Sequence, residues 1–363
     1  MCNDSDITPV TTIDDGIDDS SAQPILLDDG RELWEHFHFS VERGQQLLRI
    51  DKYLVDHIPG TSRSRIQQAA EAECILVNGR AVKSNYRVHP LDEIRVVMDR
   101  PRYENEITPE DIPLDIVYED AEVLVVNKPA GLVVHPGHGN YNGTLVNALA
   151  YYFRDNPNYD VSDPRLGLVH RIDKDTSGLL VVAKTPDAKT NLGRQFFVKS
   201  TTRQYIALVW GQMEQPSGTI EGNIGRNPKD RLQMAVMQDP ECGKRAVTHW
   251  RTIENLAHVA LIECQLETGR THQIRVHMKH IGHPLFNDAR YGGDCVLRGY
   301  NSGAYMSFIR NCFDICPRQA LHAKTLGFKH PKTGEQLLFD SQLPADMTAL
   351  IEKWRAYCNG RIK

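Results

Sequence analysis

In 363 residues there is no run of about 18 consecutive apolar side chains, so no membrane span is expected. The start of the chain has no basic segment followed by an apolar one, and no secretory signal is expected. Eight cysteines, at 2, 74, 242, 264, 295, 312, 316 and 358, include no Cys-x-x-Cys pair. They read as reduced thiols of a cytoplasmic protein. Cys312-x-x-x-Cys316 with His322 does not have zinc spacing. The Gly-x-Ser-x-Gly elbow of serine hydrolases is missing, as are the Gly-x-x-x-x-Gly-Lys-Ser/Thr phosphate loop and the dinucleotide Gly-x-Gly-x-x-Gly turn. His272, His277, His280 and His283 form a cluster, but there is no His-Glu-x-x-His, and 270–287 hold no acidic residue. They read as structural histidines, and no metal is expected.

Acidic charge is also scarce where it would repel a polyanion. The net charge is −5, yet residues 1–37 hold ten acidic side chains against Arg31 alone, a local balance of −9. The remaining chain is therefore +4, which permits RNA binding. The length predicts two or three domains.

Residues 1 to about 29 are rich in Asp, Thr and Ser and read as disordered. Trp34–Val41 alternates apolar and polar residues, as a lead-in strand does. In 46–98 the spacing of Leu47, Leu48, Ile50, Tyr53 and Leu54 predicts a helix, and Ser62 caps a second one before Ile66, Ala69 and Ala70. Ile75–Val77 with Asn78-Gly79 predicts a hairpin. Arg49, Lys52, Arg63, Arg65, Arg80 and Lys83 can form a basic face. Pro101–Pro113 reads as a linker. Beyond it, short apolar runs joined by turns predict a mixed, largely antiparallel sheet. Helices are expected at Thr144–Phe153, Pro186–Lys199, Thr271–His280 and Met347–Tyr357. Arg226, Lys229 and Arg231 sit on an expected basic flap before Met234.

The densest chemistry lies in His170-Arg171-Ile172-Asp173-Lys174-Asp175-Thr176-Ser177-Gly178, between the apolar runs Leu166–Val169 and Leu179–Ala183, both read as strands. Charges between core strands are costly unless paired or used. A second polar cluster, Gly269-Arg270-Thr271-His272-Gln273-Ile274-Arg275, opens a helix. An aspartate held by an arginine stays ionised and oriented, which suits a nucleophile or a base.

Two resemblances follow from these residues. Arg49-x-Asp51-Lys52-x-Leu54, Ser62-Arg63-Ser64, Val77-Asn78-Gly79 and Asp92-x-Ile94 resemble the S-four-type RNA-binding domain, with Glu73 where that fold often has glycine. His170-Arg171-Ile172-Asp173-x-x-Thr176-Ser177-Gly178, Arg203-x-Tyr205, Thr268–Arg275 and Gly282-His283-Pro284-Leu285 resemble the RluA family of RNA pseudouridine synthases, as do Lys128-Pro129-Ala130-Gly131 and Ala320–Ala323. The pairing of the two is similar to RluD-type enzymes, which modify large-subunit ribosomal RNA. The resemblance implies isomerisation of uridine to pseudouridine by Asp173 with no cofactor and no metal. The carboxylate's role, attack on the anomeric carbon or proton abstraction, stays open. Arg275 matches its arginine partner, and Tyr205 the tyrosine that stacks on uracil and can help deprotonate carbon 5. Arg171 matches the side chain that fills the flipped nucleotide's place. Ile274 packs under the site, and Ile172 replaces a common leucine. Arg270 and His170 are expected as a phosphate contact and motif support.

The expected organisation is an α+β chain. An acidic tail and lead-in strand occupy 1–45, the RNA-binding domain 46–100, the linker 101–113 and the catalytic domain 114–363. Large-subunit ribosomal RNA is the expected partner of a cytoplasmic monomer, with no membrane or obligatory protein partner. The same chemistry on transfer RNA, or a non-catalytic RNA-binding assembly factor, are the alternatives.

Overall fold

A computed structural model describes residues 25–26, 32–58, 61–98, 107–137, 140, 142–156, 165–230, 232–239 and 241–360. The chain divides into two compact units, 1–106 and 107–363.

In the first unit, strands β1 (Ile25–Leu26) and β2 (Glu32–Ser40) precede β3 (Leu48–Arg49), α1 (Ile50–His57) and α2 (Arg63–Glu71). Then come β4 (Ile75–Val77), β5 (Arg80–Ala81), β6 (Arg87–Val88) and β7 (Glu93–Met98). The main sheet runs β1-β2-β7-β4-β5, and β3 pairs with β6. The segment read as a lone lead-in strand is thus a strand within this sheet, paired with β7 from Trp34 to Ser40. Ile25 and Leu26, inside the segment read as disordered, pair with Leu33 and Glu32; the rest of that tail lies outside the described residues. Ser62 caps α2 by accepting from the Arg65 amide. Asn78 and Gly79 both have positive φ, 53° and 79°, as a tight hairpin turn between β4 and β5 requires. Ile50, Leu54, Ile66, Ile75 and Ile94 fill the core between helices and sheet.

The second unit has β8 (Ile116–Glu119), β9 (Val123–Lys128), α3 (Leu145–Tyr152), β10 (Ser177–Ala183), α4 (Pro186–Phe197) and β11 (Thr202–Trp210). It continues with β12 (Ser217–Arg226), β13 (Met234–Met237), β14 (Lys244–Leu256), β15 (Val259–Leu266) and α5 (Gln273–His280). Last are α6 (Gly303–Ile315), β16 (Leu321–Lys329), β17 (Gln336–Asp340) and α7 (Ala345–Cys358). The sheet order is β13-β12-β14-β15-β11-β16-β10-β9-β8, with β17 beside β16. Among the described strands one pair is parallel, β10 with β16. The segment 107–113, read as linker, packs here: Ile107 touches the core, and the Thr108 carbonyl accepts from Asn147.

Both faces of this sheet are covered, which explains its unbroken apolar runs. On β11, Tyr205, Ala207 and Val209 face one core while Ile206, Leu208 and Trp210 face another. Each fully buried Val or Leu contributes about 1.5–3 kcal/mol. Helix α6, unforeseen in the sequence, covers the second face through Tyr305, Phe308, Ile309 and Cys312, capped by Ser302. Leu166–Val169 is no strand: Leu166 and Gly167 turn with φ of 44° and 75°, and Leu168 makes one bridge to Val182.

Glu73 supplies a test of the first unit. It holds φ at 58°, in the left-handed region, between α2 and β4. A side chain bearing Cβ loses roughly 1–2 kcal/mol there. Glu73→Gly should therefore raise stability by about 1 kcal/mol, after the entropy that glycine restores to the unfolded chain. Urea denaturation followed on the unit's transition measures this; an unchanged or lower midpoint contradicts it.

Candidate active site

Asp173 lies on the turn that enters β10, where its carbonyl accepts from the Thr176 amide at 3.1 Å. Gly178 lets that strand approach β16: at its φ of 119°, a Cβ would collide with the Ala323 carbonyl. Ala323 in turn pairs with Tyr205 of β11. The row Gly178–Ala323–Tyr205 thus carries the two predicted groups into one cavity of about 300 Å³. His170, Arg171, Ile172, Arg203, Arg270, His272, Ile274 and Arg275 also line it.

Arg275 points into this cavity from α5 and is 6% exposed. Its Nε and Nη2 donate to Oδ2 and Oδ1 of Asp288 at 2.7 and 2.8 Å. Its Nη1 donates to Oδ2 of Asp173 at 3.0 Å. The Tyr291 ring lies 5.0 Å from the guanidinium carbon. Burial works against the Arg275 charge, but the two carboxylates more than offset it and hold its pKa above the ordinary range. Asp288 is fully buried, whereas the Asp173 side chain remains 22% exposed. One carboxylate anchors the arginine and the other is presented to the cavity.

The other predicted residues divide by environment. Tyr205 is buried, and that burial raises its phenol above the usual value, so it is protonated at neutral pH. Ile172 and Ile274 are buried beside Leu266 and Leu321 in the adjoining core. Arg171 is exposed at the cavity. Arg270 is partly buried, and its Nε donates to the Arg245 carbonyl. His170 stacks on Phe196, and its Nε2 accepts from the Val181 amide at 3.0 Å. Burial, then Arg203, pushes His170 down to about 3, so it meets the site as a neutral ring tied to β10.

Several participants went unassigned in the sequence. Asp288 is the first acidic residue after the acid-free segment 270–287, the signal that could have identified Arg275's counter-charge. Arg203 is buried in the cavity wall with Nη2 on the Glu267 carbonyl at 3.1 Å. Lys128 donates to the carbonyls of Pro129, Leu132 and Lys174 at 2.8, 2.8 and 2.9 Å, clamping the residue after Asp173. Burial lowers its pKa to about 7 while Asp175 works to raise it. Arg318 donates to the Asp175 carbonyl at 2.9 Å and pairs with Asp346. The helix expected from Thr271 starts at Gln273, because His272 is left-handed and Gln273 turns its side chain back onto the Arg270 amide, Val247 and Thr248. His277 bonds Thr248, His283 faces the Trp210 carbonyl and His280 is exposed.

In the first unit, Lys52, Arg65, Arg80 and Lys83 are exposed, with no ion pair among the described residues. Arg49 and Arg63 are instead bound to the buried Asp51, at 3.0 and 2.9 Å, while remaining half-exposed. Burial would raise Asp51; bonds from Arg49, Arg63 and Gln67 overcome it and lower its pKa. On the flap, Arg226 ends β12 and Lys229 lies within the β12–β13 connection, and Arg231 lies outside the described residues.

A family model described as RNA pseudouridylate synthase matches residues 122–280, and an S4 domain model matches 48–94. An uncharacterized RNA pseudouridine synthase of Chlorobaculum parvum is 44% identical over 87% of this chain and 96% of its own length. Ribosomal large subunit pseudouridine synthase D of Escherichia coli K12 is 43% identical over 87% of this chain and 94% of its own. The solved human RNA pseudouridylate synthase domain containing 4 shares the fold, with TM-score 0.50 and 22% identity over 66% of this chain and 92% of its own.

The two carboxylates on Arg275 should respond differently to removal. Asp288→Ala strands a buried guanidinium and should cost about 3–5 kcal/mol. Asp173→Ala, at a partly exposed position, should change stability by less than about 1 kcal/mol. Chemical denaturation of both variants measures this, and equal losses contradict the assignment of anchor and presented group.

Proposed function

The chain belongs to the RNA pseudouridylate synthase family, and from that premise we propose that it isomerises uridines of large-subunit ribosomal RNA, with Asp173 as the reacting carboxylate. The observation that carries this reading is the relay Asp288–Arg275–Asp173, which presents one oriented carboxylate in a cavity walled by Tyr205. Relatives named for the large ribosomal subunit support the substrate. The S4 unit, with its exposed cations, supplies a phosphate-binding surface that positions RNA without reading its sequence.

A base in a duplex is out of reach, so the target uridine is taken out of its stack. Tyr205 receives its ring, a stacking worth roughly 1–3 kcal/mol, and Arg171 fills the vacated place. Ile172, Ile274, Leu266 and Leu321 keep water from the reacting centre. The bond from ribose C1′ to N1 breaks, the uracil turns, and C1′ bonds to C5. C5 then loses its proton and N1 gains one, so the product is an isomer and nothing is consumed. Asp173 acts either by attacking C1′, to be displaced when C5 bonds there, or by removing a ribose proton that it returns once the C1′–C5 bond has formed; both need the carboxylate held in place, which Arg275 provides. Arg270 holds a backbone phosphate, and His170 supports the turn. All of these groups come from one chain, which supports action as a monomer. Among the described residues no two cysteines are joined by a disulfide, which supports a reducing compartment, the cytoplasm.

Asp173→Asn should keep its fold and form no pseudouridine in transcribed ribosomal RNA; turnover by the pure variant removes Asp173 from this role. Carbodiimide primer extension on RNA from deletion and wild-type cells tests the substrate. Loss of sites from large-subunit RNA is expected, and loss from transfer RNA alone would contradict it. Lys83→Ala should weaken RNA binding uniformly across sequences and reduce the log–log salt slope by about 1.

A further inference from the structure

His272 is a polar side chain of the cavity with no part in the steps above. His272 takes left-handed backbone, φ 56° and ψ 24°, immediately before α5. That conformation is disfavoured for a residue with a Cβ, and such outliers concentrate at functional sites. It places the imidazole between two groups. Nδ1 lies 2.7 Å from the Tyr291 hydroxyl, and Nε2 lies 3.9 Å from Oδ2 of Asp173.

The tautomer follows from counting donors. Met234 of β13 donates its amide to the Tyr291 hydroxyl oxygen at 3.1 Å. The hydroxyl's own proton then has Nδ1 as its acceptor among the described residues. Nδ1 therefore accepts, and the ring proton sits on Nε2, facing Asp173. The charged groups around the ring are Asp173, Arg275, Arg290 and Asp288. Burial pushes His272 down to about 4, against the pull of Asp173, so the ring is neutral at pH 7.

We propose that His272 is a positioning residue for Asp173: Tyr291 fixes its tautomer, and its Nε2–H restrains the same Oδ2 that Arg275 holds. The inference rests on Asp173 being the reacting carboxylate. At 3.9 Å the contact is longer than a hydrogen bond, and contacts of this kind tighten when substrate fills a site. Both donors converge on Oδ2. Oδ1 accepts no hydrogen bond among the described residues and is the oxygen left to meet the uridine. Through Tyr291, the backbone of β13 on the flap joins this chain of contacts to the carboxylate.

The test measures kcat and KM on transcribed large-subunit RNA for His272→Ala, His272→Gln and Tyr291→Phe, with Asp173→Asn as control. His272→Ala should lower kcat by ~10-fold with KM little changed. His272→Gln, whose amide N–H can take the place of Nε2–H, should recover most of the loss. Tyr291→Phe keeps its ring against Arg275 and should fall between them. Nitrogen NMR of the imidazole should show the Nε2–H tautomer in the wild type and a mixture in Tyr291→Phe. Wild-type kcat in His272→Ala, a loss in KM alone, or Gln no better than Ala overturns the proposal. An active Asp173→Asn control instead overturns the reading beneath it, so the two failures are distinct.

Discussion

A buried guanidinium must be neutralised by a buried carboxylate, and the catalytic unit is arranged around the way Arg275 meets that demand. Asp288 accepts from Nε and Nη2 in a two-pronged geometry that fixes the guanidinium plane. Once the plane is fixed, so is the direction of Nη1, and Nη1 is what Asp173 receives. The cost of removing these charges from water is met by the anchor pair. Asp173, partly in water, can therefore spend its orientation on a substrate. The Tyr291 ring beside the guanidinium adds a cation–π contact that leaves no hydrogen-bonding site occupied.

The fold delivers the partners from distant parts of the sequence. Asp173 arrives at the entry to β10, Tyr205 on β11, and β16 lies between and pairs with both strands. The close β10–β16 contact depends on the absence of a side chain at Gly178. Behind the turn, Lys128 and Arg318 hold the carbonyls of Lys174 and Asp175 on either side of the strand entrance. The turn that carries the chemistry is thus fixed by its backbone, and the Asp173 side chain remains available.

What could be read from the sequence was what local spacing determines. Ser62 as a cap, Asn78-Gly79 as a hairpin turn and the helix beginning at Thr144 each follow from a few neighbouring residues. The convergence of Asp173, Tyr205 and Arg275 was legible through motif resemblance, since no local rule brings together residues so far apart in the chain. Less legible was whatever depends on partners elsewhere. Nothing near Arg275 announces that Asp288 will be its anchor, or that a histidine before it adopts a left-handed backbone. Arg49 and Arg63 look like free cations until Asp51 is seen to be buried between them. Leu166–Val169 has strand composition, yet the turn at Leu166 and Gly167 leaves it a single antiparallel bridge to β10.

The claim that Asp288 acts on Asp173 through Arg275 is tested most directly by a double-mutant cycle. Single-turnover rates of pseudouridine formation would be compared for Asp288→Asn, Arg275→Gln and the double variant. If the anchor works by fixing the arginine, the double variant should be no slower than Arg275→Gln alone. Rate losses that multiply would contradict the account, because the two residues would then be acting on the reaction independently.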